Sequence, residues 1–429
     1  MRIVGKGIYG ILATVLLVFS AELYGQSRNV NYDESKVPNY TLPELLVSEK
    51  GKPIQSVKDW EKIRRPELLQ LFAKEMYGST PKDKIQVTYE FLERDRKVYD
   101  GKAIREQVRF TFSNGAKKIE AILLLIIPTK LKNGKAPFIV GYNFKGNHST
   151  MTDTLIHYSP GMFYAKPPDH PDWVRGCQSN RWPFELIIDQ GYGVATMNYH
   201  DIFPDKDGTK DHSIVSLFKG YGKGEQAQDE WQAIGAWAWG SSRILDYLYT
   251  RPFIDKEQIV LMGHSRQGKA ALWAGAQDER FKIVISNNSG SGGAAISRRA
   301  FGETVKIVSN IKPAWFAPAF NKYHDNEPNL PFDQHQLIAL MAPRPVYVAS
   351  AQEDLWADPK GEFLAAFHAG PVYKLYNLTA IESPEMPAVN QPIMTHVGYH
   401  IRTGKHDVTE FDWNQFIKFA DLHFKNKGR

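Results

Sequence analysis

Apolar positions recur every three to four residues over 66–77, a stretch that opens on Pro66 and stops before Gly78. Proline suits a helix's first turn and glycine its end, so the spacing predicts a helix. The pattern then changes period. Segments 85–92, 103–112 and 118–127 alternate or are strongly apolar, and they predict strands that open a sheet in antiparallel fashion. From about residue 136 onward, short apolar runs and amphipathic stretches take turns. A buried strand from Ala136 runs into a Gly/Asn-rich loop, Asn143 to Asn147, and further strands are expected at 192–198, 259–262, 281–286 and 345–350. Helices are expected at 229–248, where Trp231, Ile234, Trp237, Ala238, Ile244, Leu245 and Leu248 share one face, and at 270–276 and 410–424. Strands alternating with helices mean a mostly parallel sheet with helices on both faces, an α/β fold.

The remaining stretches are irregular. Residues 28–60 are polar, with Pro38, Pro43 and Pro53, and read as a wrap around the domain. Residues 150–182 hold Pro160, Pro167, Pro168, Pro171, Trp173 and Trp182, and connections of that length serve as functional insertions or lids. A second long loop is expected at 376–400. At the start, Arg2 and Lys6 precede an apolar run over 8–19 and small residues before Gln26. That is the order of a cleaved secretory signal. The expected organisation is a signal peptide at 1–25, an N-terminal extension at 26–64 and one catalytic domain at 65–429.

Composition narrows the class. At 429 residues and 42% hydrophobic content, the chain can bury one large core or two smaller ones. Losing Arg2, Lys6 and Glu22 with the signal takes the net charge from +6 to +5. The basic residues form no long run, so nucleic-acid binding has no support. Beyond the start, no stretch of 18 apolar residues exists, which argues against a membrane protein. Cys177 is the sole cysteine, so no internal disulfide can form. The 10 Trp exceed what a core needs, and carbohydrate clefts use such rings as platforms. There is no H-E-x-x-H, Cys pair, phosphate loop or dinucleotide fingerprint, so neither metal nor cofactor is expected.

Chemistry concentrates at Gly263-His264-Ser265-Arg266-Gln267-Gly268, between an apolar run and a small-residue helix. A G-x-S-x-G turn in that setting lifts a serine clear of the backbone, at a helix N-terminus that favours developing negative charge. The two glycines leave room where strand and helix come close. Ser265 needs a base and an acid, expected downstream in the order acid, then histidine. Asp354 and Asp358 follow the strand at 345–350, and Asp354, nearer the strand end, is the preferred acid, with Asp358 as the alternative. His406 lies in a glycine-containing loop before the last helix and is the preferred base over His400 and His396. His368 and His423 fall on helices. Asn143 stands at the start of the loop that supplies one oxyanion N–H in α/β-hydrolases.

The elbow with Arg266 after the serine and Lys269 at the fourth place resembles the glucuronoyl esterases of carbohydrate esterase family 15. So do Gly141 to Asn147, Asp201-Ile202-Phe203-Pro204-Asp205, Gly235 to Gly240, Ser289 to Gly293, Trp356 to Pro359 and Gly404-Lys405-His406. The resemblance, over about residues 65–425, implies an α/β-hydrolase fold and cleavage of the ester between (4-O-methyl)glucuronic acid on glucuronoxylan and a lignin alcohol. It implies Ser265 as nucleophile and His406 as base. Arg266 would stabilise the oxyanion, and Lys269, Glu303 and Trp356 would hold the sugar. Many members place the acid as Glu where this chain has Asn288, so the acid must come from the later loop, again Asp354. A secreted or periplasmic bacterial monomer without cofactor is expected, with loops 150–182 and 376–400 shaping the alcohol side. The alternatives are a polysaccharide acetyl esterase and a non-catalytic carbohydrate-binding protein on a hydrolase fold.

Overall fold

A computed structural model describes residues 30–165, 170–219 and 227–425. The expected signal segment lies outside them. Among the described residues ten strands form one sheet: β1 Gln86–Val98, β2 Ala103–Ser113, β3 Lys118–Pro128, β4 Ala136–Asn143, β5 Gly193–Asn198, β6 Ile254–His264, β7 Ile283–Asn287, β8 Val346–Ala351, β9 Ile393–Met394 and β10 Val397–Arg402. Their order is β1-β2-β3-β5-β4-β6-β7-β8-β10-β9. The first three strands pair antiparallel, as does β3 with β5, and the run from β5 through β4, β6, β7, β8 to β10 is parallel.

Successive residues of the parallel strands serve different cores, as the two-residue period of a strand requires. Val140, Leu261, Val284 and Val348 join a core beneath helices α1 Arg65–Phe72, α3 Ala233–Leu248, α4 Arg266–Gln277 and α5 Pro359–Leu375, represented by Phe72, Trp237, Trp273 and Phe363. Their neighbours Ile139, Val260, Ile285 and Tyr347 join a second core under α2 Phe184–Asp189 and α6 Glu410–Lys425, where Ile187, Trp413 and Phe416 are buried. The result is a helix–sheet–helix sandwich whose parallel strands all end at one edge.

Three expectations change in detail. The helix over 66–77 is α-helical only to Phe72 and continues as a wider π-type turn through Tyr77. It stops at Gly78, whose φ of 87° and whose approach to Trp231 leave no space for a Cβ. The helix expected from 229 begins at Ala233, because Gln232 is extended. The stretch 376–400, expected as a loop, holds β9 and the start of β10. Beta-10 reads as polar because it carries His400 and Arg402, yet both are buried.

Candidate active site

Strand β6 runs directly into α4 through Ser265, which takes φ 57° and ψ −130°. A serine held in that sparsely populated region stores strain, and the surroundings must impose it. They do so by crossing two backbones: a Cβ on Gly263 would stand 1.9 Å from the Gln267 carbonyl oxygen. The Ser265 N–H donates to the Asn287 carbonyl at the end of β7 (2.8 Å), and the Ser265 carbonyl accepts from Gly268 N–H (2.8 Å). The next N–H groups, of Arg266 and Gln267, belong to the first turn of α4, which has no intrahelical acceptor for them. Such donors suit a developing oxyanion.

His406 comes from the loop between β10 and α6. That loop is held from below. Asp412, fully buried on α6, accepts from His400 Nε2 (2.9 Å) and Arg402 Nε (2.7 Å). Arg402 in turn donates to the carbonyls of Thr403, Lys405 and Asp407 at 2.7–3.0 Å. Burial works to raise the Asp412 carboxyl, but His400 and Arg402 outweigh it and hold it below the usual carboxylate range. The acid loop is tied to the base loop by Glu353 N–H to the Gly404 carbonyl (3.0 Å). Across that seam His406 Nδ1 stands 2.6 Å from Asp354 Oδ2. Asn288 Nδ2 donates to the same oxygen (2.9 Å).

Behind the imidazole, the His264 ring lies 4.6 Å from that of His406. Burial pushes His264 well below the ordinary imidazole value, and the His406 charge adds to this. It is therefore neutral, and its Nδ1 accepts from Asn287 Nδ2 (2.9 Å). The same amide donates to the Asp407 carbonyl (3.0 Å). Asn287 thus touches the serine's backbone, the elbow and the base loop.

Ser265, His406 and Asp354 line one cleft of about 470 Å³ together with Arg266, Lys269, Asn288, Glu303, Lys312, Trp315 and Trp356. Lys269 donates to Glu303 (2.8 Å) and to the Ser291 carbonyl. Arg266 is paired with Asp205 and its guanidinium lies over the Trp315 ring, 4.8 Å from the centroid. Asp205 also accepts from Trp315 Nε1 (2.9 Å) and Lys312 Nζ (3.2 Å). Burial works to raise its carboxyl, but Arg266 and Lys312 keep it below the usual range. Among the described residues no group of His, Cys, Asp and Glu is arranged to hold a metal ion, and no helix is long and apolar enough to cross a membrane.

The structure brings together all the sequence-predicted site residues except Asn143. That side chain is fully buried on β4, donating to Asn147 Oδ1 (2.7 Å) and Thr196 Oγ1 (3.2 Å), outside the cleft lining. The next residue, Phe144, is the one that reaches His264, with ring centroids 5.8 Å apart. Asp358 faces away from the imidazole. It pairs with Arg299 Nε (2.8 Å) and caps α5 through Gly361 N–H (3.0 Å). His400 is buried on Asp412, and His396 lies by Thr379. Sequence reading gave no role to Lys312, Trp315, Glu362 or Asn287, which sit in no motif. Asp205 is marked in the sequence only as part of the 201–205 segment.

A strained serine where a parallel strand enters a helix, with a histidine–aspartate pair at neighbouring strand ends, defines an α/β-hydrolase of the serine-esterase type. A family profile described as "Glucuronyl esterase, fungi" matches residues 179–377. Carbohydrate esterase MZ0003, from an unknown prokaryotic organism, is 40% identical over 419 residues, spanning 96% of each chain. The structure of the glucuronoyl esterase from Solibacter usitatus superposes with a TM-score of 0.84 at 42% identity, covering 91% of this chain and 100% of that one. The 4-O-methyl-glucuronoyl methylesterase of Cerrena unicolor is 32% identical over 260 residues, 53% of this chain and 51% of its own. The chain belongs to the glucuronoyl esterases of carbohydrate esterase family 15 and is a carboxylic ester hydrolase.

Proposed function

We propose that the chain cleaves the ester between (4-O-methyl)glucuronic acid of glucuronoxylan and a lignin alcohol, by acyl transfer through Ser265, His406 and Asp354. The observation that carries this reading is the 2.6 Å contact of His406 with Asp354 in the same cleft as the strained Ser265. His406 takes the serine proton, and Oγ attacks the C6 carbonyl of the uronate. Asp354 stabilises the imidazolium and fixes its tautomer. The N–H groups at the start of α4 and the Arg266 guanidinium receive the oxyanion. His406 then protonates the leaving alcohol, and water releases the free uronate. The charged pair Lys269–Glu303 suits ring hydroxyls, and Trp356 offers a flat face and an N–H. The basic start, apolar run and small residues of segment 1–25 support export, with 65–429 as the catalytic domain.

The test compares hydrolysis of a benzyl ester of glucuronic acid with that of a simple acetyl ester. Wild type is expected to cleave the glucuronate ester selectively, and Ser265→Ala to lose about 10⁶-fold in kcat while keeping its fold. Preference for the acetyl ester would favour a polysaccharide acetyl esterase. Binding of glucuronoxylan fragments without turnover would favour a carbohydrate-binding protein.

A further inference from the structure

Glu362, on the first turns of α5, is fully buried and takes no part in the chemistry above. Its Oε1 accepts from the N–H groups of Ser289 (2.7 Å) and Gly290 (3.0 Å), in the loop after β7. Its Oε2 lies 2.6 Å from Ser350 Oγ, on β8. These two elements meet at Asp354. The β7 loop contributes Asn288, whose amide donates to Asp354 Oδ2, and β8 leads into Asp354 itself. One carboxyl therefore staples together the two strand ends whose spacing decides whether that amide and the imidazole reach one oxygen.

We propose that Glu362 is a positioning residue for the catalytic acid, and that it acts as a neutral carboxylic acid bridging the β7 loop and Ser350. A neutral acid satisfies this geometry, in which Ser289 Oγ also lies within 3.3 Å of Oε1 as a further donor. One oxygen accepts the two backbone N–H groups, and the protonated oxygen donates to Ser350 Oγ. An ionised Glu362 would leave Ser350 as its donor but would set a second negative charge beside Asp354. The groups facing it are Asp354 on the β8–α5 loop, Tyr399 on β10, and Asp358 at the start of its own helix, the last already paired with Arg299. No cation among them compensates a charge on Glu362. Burial accordingly raises its pKa to about 8, with Asp354 adding to the rise against the Ser350 and backbone hydrogen bonds.

The inference rests on Asp354 being the acid, and the experiment separates the two. Hydrolysis of benzyl glucuronate is followed for wild type, Glu362→Gln, Glu362→Leu and Asp354→Ala. Glutamine keeps one acceptor and one donor and cannot ionise. It is expected to hold kcat within about threefold of wild type near pH 7, whereas leucine loses about 10- to 100-fold in kcat with KM little changed. Wild-type kcat is expected to fall reversibly above about pH 8, and Glu362→Gln to lack that alkaline limb. Superimposable wild-type and Gln profiles from about pH 7 to 10, or a leucine variant within about twofold of wild-type kcat, would overturn the positioning role. If the leucine variant does not fold, the comparison of wild type with Gln still decides. Near-normal turnover by Asp354→Ala would remove the acid assignment instead, whatever the Glu362 variants do.

Discussion

At the scale of the residue, two aspartates four positions apart do different work. Asp354 meets His406, while Asp358 sits at φ 52° against Arg299 and the first turn of α5. Asp354→Ala is expected to lower kcat by about 10³- to 10⁴-fold with unfolding little changed. Asp358→Ala is expected to keep kcat near wild type but to cost about 1–3 kcal/mol in urea unfolding, because it removes the cap of α5 and leaves the buried Arg299 with only the half-exposed Glu34. Opposite results in the two assays would exchange the assignments. Ser265 and His406 were legible because their signals are local: glycines at fixed offsets, and a loop at a fixed address before the last helix. The preference for Asp354 rested on its place at the strand end. What separates it physically from Asp358 is Arg299, on another loop, and no spacing rule reaches that far. The sequence locates the loop after β4, but not which of its side chains turn toward the elbow: that of Asn143 is buried at the last position of the strand, and the Phe144 ring is the one that meets His264.

At the scale of the element, strands marked by apolar runs or alternation were legible, β2 among them despite its buried Arg105 and Glu106, whereas β10 was not. Beta-10 carries His400 and Arg402 into the interior, where Asp412 on α6 supplies the compensating charge. The partner lies beyond any local window. Helix α5, expected only as the helical setting of His368, holds Gly361, Gly370 and Pro371, all poor helix formers in isolation. Asp412 also gives a prediction. Its carboxyl is held below the ordinary range, so its contribution is present above the unfolded value and is lost as pH falls through the folded one. Asp412→Ala is expected to lose about 3–5 kcal/mol at pH 7, since it leaves Arg402 uncompensated. In urea unfolding the gap between wild type and variant should shrink below about pH 4. A gap that persists undiminished in acid would assign its effect to packing rather than to charge.

At the scale of the whole molecule, the described part of the leading segment is bound into the body rather than laid upon it. Leu45, Ile54 and Trp60 belong to the larger core. Glu34 pairs with Arg299 and Lys360, and the Asn31 carbonyl accepts from Gly302 N–H (2.8 Å). The polar, proline-bearing composition told of an irregular wrap, but not of its anchors, which are contacts with residues some 265 positions away. Trp60 is fully buried, and Trp60→Ala is expected to lower stability by about 3–5 kcal/mol with KM for benzyl glucuronate unchanged. A variant as stable as wild type would show the wrap to be dispensable. The sheet itself carries one more consequence. Strands β7 and β8 run side by side, Asn287 beside Ala349, so their ends lie one strand spacing apart, about 4.8 Å. Two mooring points therefore serve a single imidazole. A carboxylate is portable across this seam: a lineage can shift its anionic partner from one strand to the next by two substitutions, leaving serine and histidine where they stand.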